Sequence, residues 1–279
     1  MITGMPRIAI AVRDFDQIVA TFRDRFGMPV IDMSDGSVDS LGSKLGMCVP
    51  PGGSNIELMC PHVPEAPLSQ SLQRFLDRRG EGLFALMLEA AVPDDEAERL
   101  IANGLNVLPL MEGAGGRDIH PNSTHGVLIR IYPVNSFQGQ MDETAETVGL
   151  TGIARVVIAV RDIEAASEVY GRKIGLDADA PSPNAERGVT SVLCRPPSGG
   201  VIELVAVTDL DQAYAQRVAK FLDERGEGMF ELVLQSADLS ATTTTLASRG
   251  LTIDSTDAAS TTQIAKSDTY GAQICIEAG

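Results

Sequence analysis

The sequence predicts an α+β protein built as two tandem copies of one domain, and three long internal repeats carry that prediction. Arg7-Ile-Ala-Ile-Ala-Val-Arg-Asp14 returns as Arg155-Val-Val-Ile-Ala-Val-Arg-Asp162, 148 positions later. Cys48-Val-Pro-Pro-Gly-Gly-Ser-Asn-Ile-Glu57-Leu returns as Cys194-Arg-Pro-Pro-Ser-Gly-Gly-Val-Ile-Glu203-Leu, and Phe75-Leu-Asp-Arg-Arg-Gly-Glu-Gly-Leu-Phe84 as Phe221-Leu-Asp-Glu-Arg-Gly-Glu-Gly-Met-Phe230, both 146 positions on. Matches of this length in the same order mark a duplication. The expected domains are residues 1–141 and 150–279, joined by the polar, acidic stretch 142–149.

Each half has the same expected order of elements. Residues 7–12 are β-branched and alanine-rich and read as a strand. Asp14 can cap a helix in which Phe15, Ile18, Val19, Phe22 and Phe26 recur at helical spacing, with Gly27 ending it. Strands are expected at 45–49 and 56–60, separated by a Pro-Pro-Gly-Gly turn at 50–53. A helix over 68–79, stopped by Gly80, leads to a strand at 83–90. Pro93-Asp-Asp-Glu opens a further helix that ends at Gly104, and strands at 107–110 and 127–132 complete the half. With 68–79 as a connector, each half reads βαβββ twice.

Alternation with period two sorts the side chains of these strands. Ile8, Ile10, Val12, Ile56, Leu58, Ile129 and Ile131 share faces suited to packing against helices. Arg7, Ala9, Ala11, Glu57, Met59, Leu128, Arg130 and Tyr132 share the opposite faces. Three charged residues thus point to one side of one half.

Composition narrows the function classes. The chain has 38 acidic and 22 basic residues, a formal charge of −16, and 44% hydrophobic residues. An excess of acid argues against nucleic acid or an anionic membrane as partner, since phosphate recognition needs a basic face. No apolar run approaches a membrane span, and the first residues do not form a secretion signal, so a cytoplasmic protein is expected. Cys48, Cys60, Cys194 and Cys275 form no Cys-x-x-Cys pair and read as buried free thiols. Three histidines are too few for two histidine-rich metal sites. Arg74, Arg78 and Arg79 read as the solvated face of a helix, and His62 as a loop residue.

Gly80-Glu-Gly-Leu-Phe84, Gly113-Ala-Gly-Gly116 and His120-Pro-Asn-Ser-Thr-His-Gly-Val-Leu-Ile-Arg130 resemble the second half of a methylmalonyl-CoA epimerase, a family of the vicinal oxygen chelate superfamily. Residues 7–14 resemble that family's first strand and Ile56-Glu-Leu-Met-Cys-Pro61 its fourth. The resemblance covers residues 5–135 and, through the repeat, 153–277. It implies paired βαβββ modules whose sheets curl into a cup, with a divalent metal held on the cup floor by two histidines, a glutamine or glutamate, and a glutamate. Matched position by position, those ligands fall on Arg7, Glu57, Ala85 and Arg130 in the first half. In the second half they fall on Arg155, Glu203, Glu231 and Cys275, with Glu277 two residues on.

No histidine ligand remains in either half, and a guanidinium offers a metal no lone pair. The expectation is therefore a glyoxalase-like enzyme working without the family metal and without other cofactors. A divalent cation bound by carboxylates of the second cup is the alternative kept open. In the first cup Arg7 and Arg130 would grip a carboxylate, an enolate or a thioester oxygen, and Glu57 would take a proton next to a carbonyl. Met59, Tyr132, His125, Arg155, Glu203 and Glu231 would contact the substrate, a small carboxylate or thioester. The first cup would carry a net +1 and the second −1 before Glu277 is counted. An isomerase, epimerase or lyase would result. A non-catalytic, small-molecule-sequestering protein of the bleomycin-resistance type, commonly a homodimer, is the rival expectation.

Overall fold

In a computed structural model of the chain, the described residues are 1–50, 55–111, 113, 115–137, 148–254 and 260–279. The expected linker up to residue 147, most of the 50–53 turn, parts of the 113–116 loop and residues 257–259 lie outside them. The first half contains β1 (Ile2–Ala11), α1 (Phe15–Ala20), β2 (Val30–Asp32), α2 (Ser34–Leu41), β3 (Ser43–Cys48), β4 (Asn55–Pro61) and α3 (Pro67–Arg79). It continues with β5 (Gly82–Ala90), α4 (Pro93–Ala102), β6 (Arg117–Ile119) and β7 (Leu128–Pro133). The second half contains β8 (Leu150–Ala159), α5 (Ile163–Ser167), β9 (Asp177–Ala178), β10 (Ser182–Asn184), β11 (Val189–Arg195), β12 (Ile202–Val207) and α6 (Ala213–Arg225). It ends with β13 (Gly228–Ser236), α7 (Leu239–Ser248), β14 (Ile253–Asp254), β15 (Thr261–Ile264) and β16 (Ile274–Ala278).

Each half folds its strands into one sheet. The first runs β2-β3-β4-β1-β5-β7-β6, and the second repeats that path from β10 to β14 with β9 paired to β11. In both, the two modules meet where the opening strands β1 and β8 pair antiparallel with β5 and β13. The duplication is thus a two-domain α+β structure.

Local chemistry explains most elements. Asp14 and Asp162 each accept a backbone N–H three residues on, at 3.0 Å, and so start α1 and α5. Both helices run on into a π-helical turn, Thr21–Arg25 and Glu168–Lys173. Helix α3 starts with Pro67 in its first turn, places Leu68, Leu72 and Leu76 on one buried stripe, and ends at Gly80.

The strand expected at 107–110 is not a strand. Only Val107 pairs, in an isolated bridge to Ile119, and the strand that edges the sheet is β6. Pro109 cannot donate to a ladder, which removes one rung from that segment. Two short elements, β2 and α2, lie between the expected helix ending at Gly27 and the expected strand at 45–49.

The alternation holds throughout. Ile8, Ile10, Val12, Ile56, Leu58, Ile129 and Ile131 belong to the largest core, which also takes in Ile158, Leu204 and Ile276 of the second half. One core therefore lies between the two sheets. The halves also meet reciprocally: Gly126 packs on the Glu227 backbone and Gly271 on the Glu81 backbone. Both glycines have left-handed φ values, 78° and 75°, and a Cβ on either would overlap the opposing carbonyl. All four cysteines are buried free thiols, and among the described residues no helix is long and apolar enough to cross a membrane.

Candidate active site in the first cup and its counterpart

Strand register puts the corresponding residues of the two cups at matching places. Glu57 pairs in register with Ala9 and Glu203 with Val157, while Ala85 and Glu231 sit opposite those same residues. Met87 is opposite both Arg7 and Arg130, and Val233 is opposite both Arg155 and Cys275. Tyr132 and Glu277 are likewise equivalent, opposite Glu89 and Gln235. Cys275 and Glu277 lie two residues apart and so share the face that looks into the second cup.

In the first cup Arg7, Glu57 and Arg130 are all buried, with relative exposures of 5%, 2% and 4%. Arg7 Nη1 lies 3.9 Å from Glu57 Oε2, an ion pair too long for a hydrogen bond. Arg7 Nη2 donates to Ser136 Oγ at 2.6 Å, and its guanidinium lies over the Tyr132 ring at 4.5 Å. Neither Arg7 Nε nor Glu57 Oε2 has a hydrogen-bond partner among the described residues. Burial pushes the Glu57 carboxyl above its ordinary pKa, against the opposing pull of Arg7 and Arg130. Burial, reinforced by Glu57, likewise raises the Tyr132 phenol.

Arg130 is committed elsewhere. Its Nε and Nη2 donate to the two carboxylate oxygens of Asp118 at 2.5 and 2.6 Å. Asp118 is directly opposite Arg130 across the β6–β7 pair and only 6% exposed. Burial opposes the Arg130 charge, but the Asp118 hydrogen bonds more than offset it and hold the guanidinium above its ordinary pKa. The expected +1 of the first cup is therefore corrected: with Asp118 counted, two arginines face two carboxylates. The two arginines are not equal partners for a ligand, and Arg7 is the one with a donor to spare.

The small side chains of Ala9, Ala11 and Ala85 do not leave the cup floor open. Leu68, Leu72 and Leu76 of α3 pack onto those alanines and Met59 in one apolar cluster. A cavity of about 210 Å³ reaches Arg7 and is lined by Asn55, Glu89, Asn135, Phe137 and the 198–200 segment of the second half. His125 does not join the set. It has φ 52°, and its Nδ1 lies 3.0 Å from Glu227 Oε2 at the junction of the halves.

The second cup is closed by ion pairs. Arg155 Nε donates to Glu203 Oε2 at 2.8 Å, and its Nη1 donates to Glu277 at 2.6 and 2.7 Å. Arg187 donates to the other Glu203 oxygen and lies 4.1 Å over the Tyr214 ring. Gln273 Nε2 donates to Glu231 Oε2 at 2.8 Å. Burial, then the neighbouring Glu231, pushes the Cys275 thiol far up and leaves it a poor nucleophile.

Sequence reasoning missed Asp118, Ser136, Arg187 and Gln273. Asp118 was hidden because residues 107–110 read as the penultimate strand. Arg187 belongs to a turn held by its own N–H to Asn184 Oδ1 at 3.0 Å, and no periodicity points at a turn.

A metal of the type the fold implies does not fit either cup. Arg7 and Arg130 occupy two of the four ligand positions in the first. In the second, both Glu203 oxygens accept from guanidinium groups, and one oxygen of Glu231 accepts from Gln273. No group of three or more His, Cys, Asp or Glu residues suited to a metal occurs among the described residues.

Residues 156–269 match the family model of a glyoxalase-like domain. The fold of the whole chain is similar to that of a 4-hydroxymandelate synthase mutant from Streptomyces coelicolor (TM-score 0.71, 13% identity, covering 100% of this chain and 94% of that one). It is also similar to a fusion of a xylose isomerase-like TIM barrel with a 4-hydroxyphenylpyruvate dioxygenase (TM-score 0.65, 13% identity, 100% of this chain and 49% of that one). A methylmalonyl-CoA epimerase from Mycobacterium tuberculosis aligns with 49% of the chain and 93% of its own length, at 27% identity and a TM-score of 0.43. No curated protein matches the sequence. The whole chain thus has the fold of these two structures, built as a tandem duplication. Its second half carries a glyoxalase-like domain, and enzymes are among the structures that share its fold.

Proposed function

We propose that the first cup is a small-molecule site in which Arg7 holds an anionic oxygen and Glu57 moves a proton, making the chain an isomerase or lyase for small carboxylates. One observation supports this above others: a buried carboxylate oxygen and a buried guanidinium nitrogen, in neighbouring side chains, both without hydrogen-bond partners among the described residues. Buried polar groups are normally satisfied, and an unsatisfied donor beside an unsatisfied acceptor suits a ligand that is both acid and oxyanion. The cavity that ends on Arg7 favours a compact carboxylate over a bulky thioester, being smaller than about 300 Å³, the low end for drug-sized pockets.

The step is a proton transfer. Glu57 Oε2 forms a bond to the proton on the carbon next to the substrate carbonyl, and that C–H pair moves onto the carbonyl oxygen as an enolate. Arg7 stabilises the enolate oxygen through its free Nε–H. Return of the proton from Glu57 after the planar enolate has turned over in the site completes an isomerisation. A carboxyl raised by burial is the better base once ionised, because its basicity lies closer to neutrality. Arg130 then acts as a positioning residue that sets the Tyr132 ring beneath Arg7.

The test is solvent deuterium incorporation, followed by proton NMR, across a panel of small 2-oxo acids and malonate-type acids. Exchange is expected with the parent protein, absent with Glu57→Gln, and about tenfold slower with Arg7→Ala. Unchanged exchange in both variants would overturn the assignment. A second reading, a sequestering protein, is favoured by the α3 leucines that fill the floor beside Glu57. It predicts calorimetric binding that Arg7→Ala abolishes, with no exchange by any form.

A further inference from the structure

A feature that the cups do not explain lies outside both of them. Where the C-terminal ends of α3 and α6 approach each other, a cavity of about 360 Å³ opens between the two halves. Its cations are Arg74, Arg78 and Arg79 from the first half and Arg225 and Lys266 from the second, and no carboxylate lines it. None of the five makes an ion pair among the described residues, in a protein whose formal charge is −16. The sequence-based reading of a solvated face holds for Arg74 and Arg78 and is corrected for Arg79. Arg74 and Arg78 stay exposed at the rim, while Arg79 turns inward and donates to the Glu227 carbonyl at 3.4 Å.

The walls are aromatic and come in equivalent pairs. Phe75 meets Phe84 edge-on at 5.1 Å, and Phe221 meets Phe230 edge-on at 5.4 Å. Gln273 reaches the same space from the second half. Two helix C-termini contribute only partial negative charge, roughly half a unit each, against five full positive charges. Burial, then the neighbouring Arg225, holds both Arg79 and Lys266 below their ordinary pKa values. Glu224 and Glu231 offset part of the charge on Lys266 from outside the cavity, but like charges gathered with no carboxylate in the lining destabilise the empty site, and a bound anion relieves that cost.

We propose that this junction cavity binds an organic anion that joins a doubly charged phosphate-type group to a flat aromatic ring system. The cations take the phosphate oxygens, and the phenylalanine pairs of the two halves take the ring. The volume admits one such ligand at the small end of ordinary ligand sites. The site is independent of the first-cup reaction, because neither Arg7 nor Glu57 touches it.

Calorimetric titration of the full-length protein with 1-naphthyl phosphate, inorganic phosphate and 1-naphthol tests this. Naphthyl phosphate is expected to bind about tenfold more tightly than phosphate, with 1-naphthol showing no measurable heat. Its affinity should fall as salt rises. The double variant Arg225→Ser, Lys266→Ser should weaken naphthyl phosphate about tenfold while leaving the ligand-free unfolding midpoint unchanged or raised. Phe221→Leu should erode the preference over phosphate, and Arg7→Ala should change nothing. Equal binding of all three probes overturns the proposal. So does parental affinity in the double variant, or loss of binding in Arg7→Ala alone.

Discussion

The two cups share a register and differ in how they treat buried charge. In the second, Glu203 accepts from both Arg155 and Arg187, and Arg155 also reaches Glu277, so these two carboxylates have cationic partners while Glu231 is held by the neutral Gln273. In the first, Arg130 and Asp118 close on each other and leave Arg7 and Glu57 3.9 Å apart with atoms to spare. One scaffold thus holds an ion network that seals and another that stays incomplete. A duplicated fold keeps positions faithfully, while two or three substitutions decide whether a position is structural or reactive. Leu41 and Arg187 lie at corresponding offsets in the repeat, as do Tyr132 and Glu277, and those exchanges supply the second cup's extra pairs.

Substitutions that separate the networks should fall in a definite order. Arg130→Ala should be the most harmful, because it strands Asp118 as an unpaired buried carboxylate. A loss of about 3–5 kcal/mol is expected by urea denaturation. A loss under half of that would mean water reaches Asp118 and the first cup is less closed than drawn. Glu203→Gln should cost about 1–2 kcal/mol, since Arg155 and Arg187 are each partly exposed and keep some hydration. An equal loss for Arg130→Ala and Glu203→Gln would erase the contrast between the cups.

Glu57→Gln should have the smallest effect and a distinctive pH dependence. The folded-state pKa of Glu57 is raised above the ordinary 4.5, so its ionised form costs stability at pH values above the folded pKa. That cost is relieved as pH falls through the folded pKa and is absent below the unfolded value. Glu57→Gln should therefore match or exceed the parent near pH 8, by at most about 1 kcal/mol, and the difference should vanish towards about pH 4. Thermal melts across that range check the sign. A gain that instead appears only at low pH would show that Glu57 is stabilised by Arg7 rather than strained beside it.

Much of the candidate site is legible in the order of residues alone. The repeats place Arg7 with Arg155 and Glu57 with Glu203, and alternation sends each pair to the concave face. His125 shows the limit of such reading. Its neighbours match a loop into the last strand, yet its positive φ and its contact with Glu227 are set by how the halves dock. Asp118 shows another limit: its strand is three residues long, below the length at which periodicity carries a signal.

Chain order is enough to specify the duplication, the α+β succession of elements, the face on which each strand residue lies, and the arginines and glutamates that share those faces. Those properties are local or repeat at constant spacing, so neighbours in the chain define them. The folded arrangement alone settles that Arg130 belongs to Asp118, that Arg7 and Glu57 remain incompletely paired, that α3 fills the cup beside them, and that Arg79 and Arg225 share a cavity. Each depends on residues far apart in the chain meeting across a sheet edge or a domain junction. Side-chain periodicity holds no information about which distant partner will arrive.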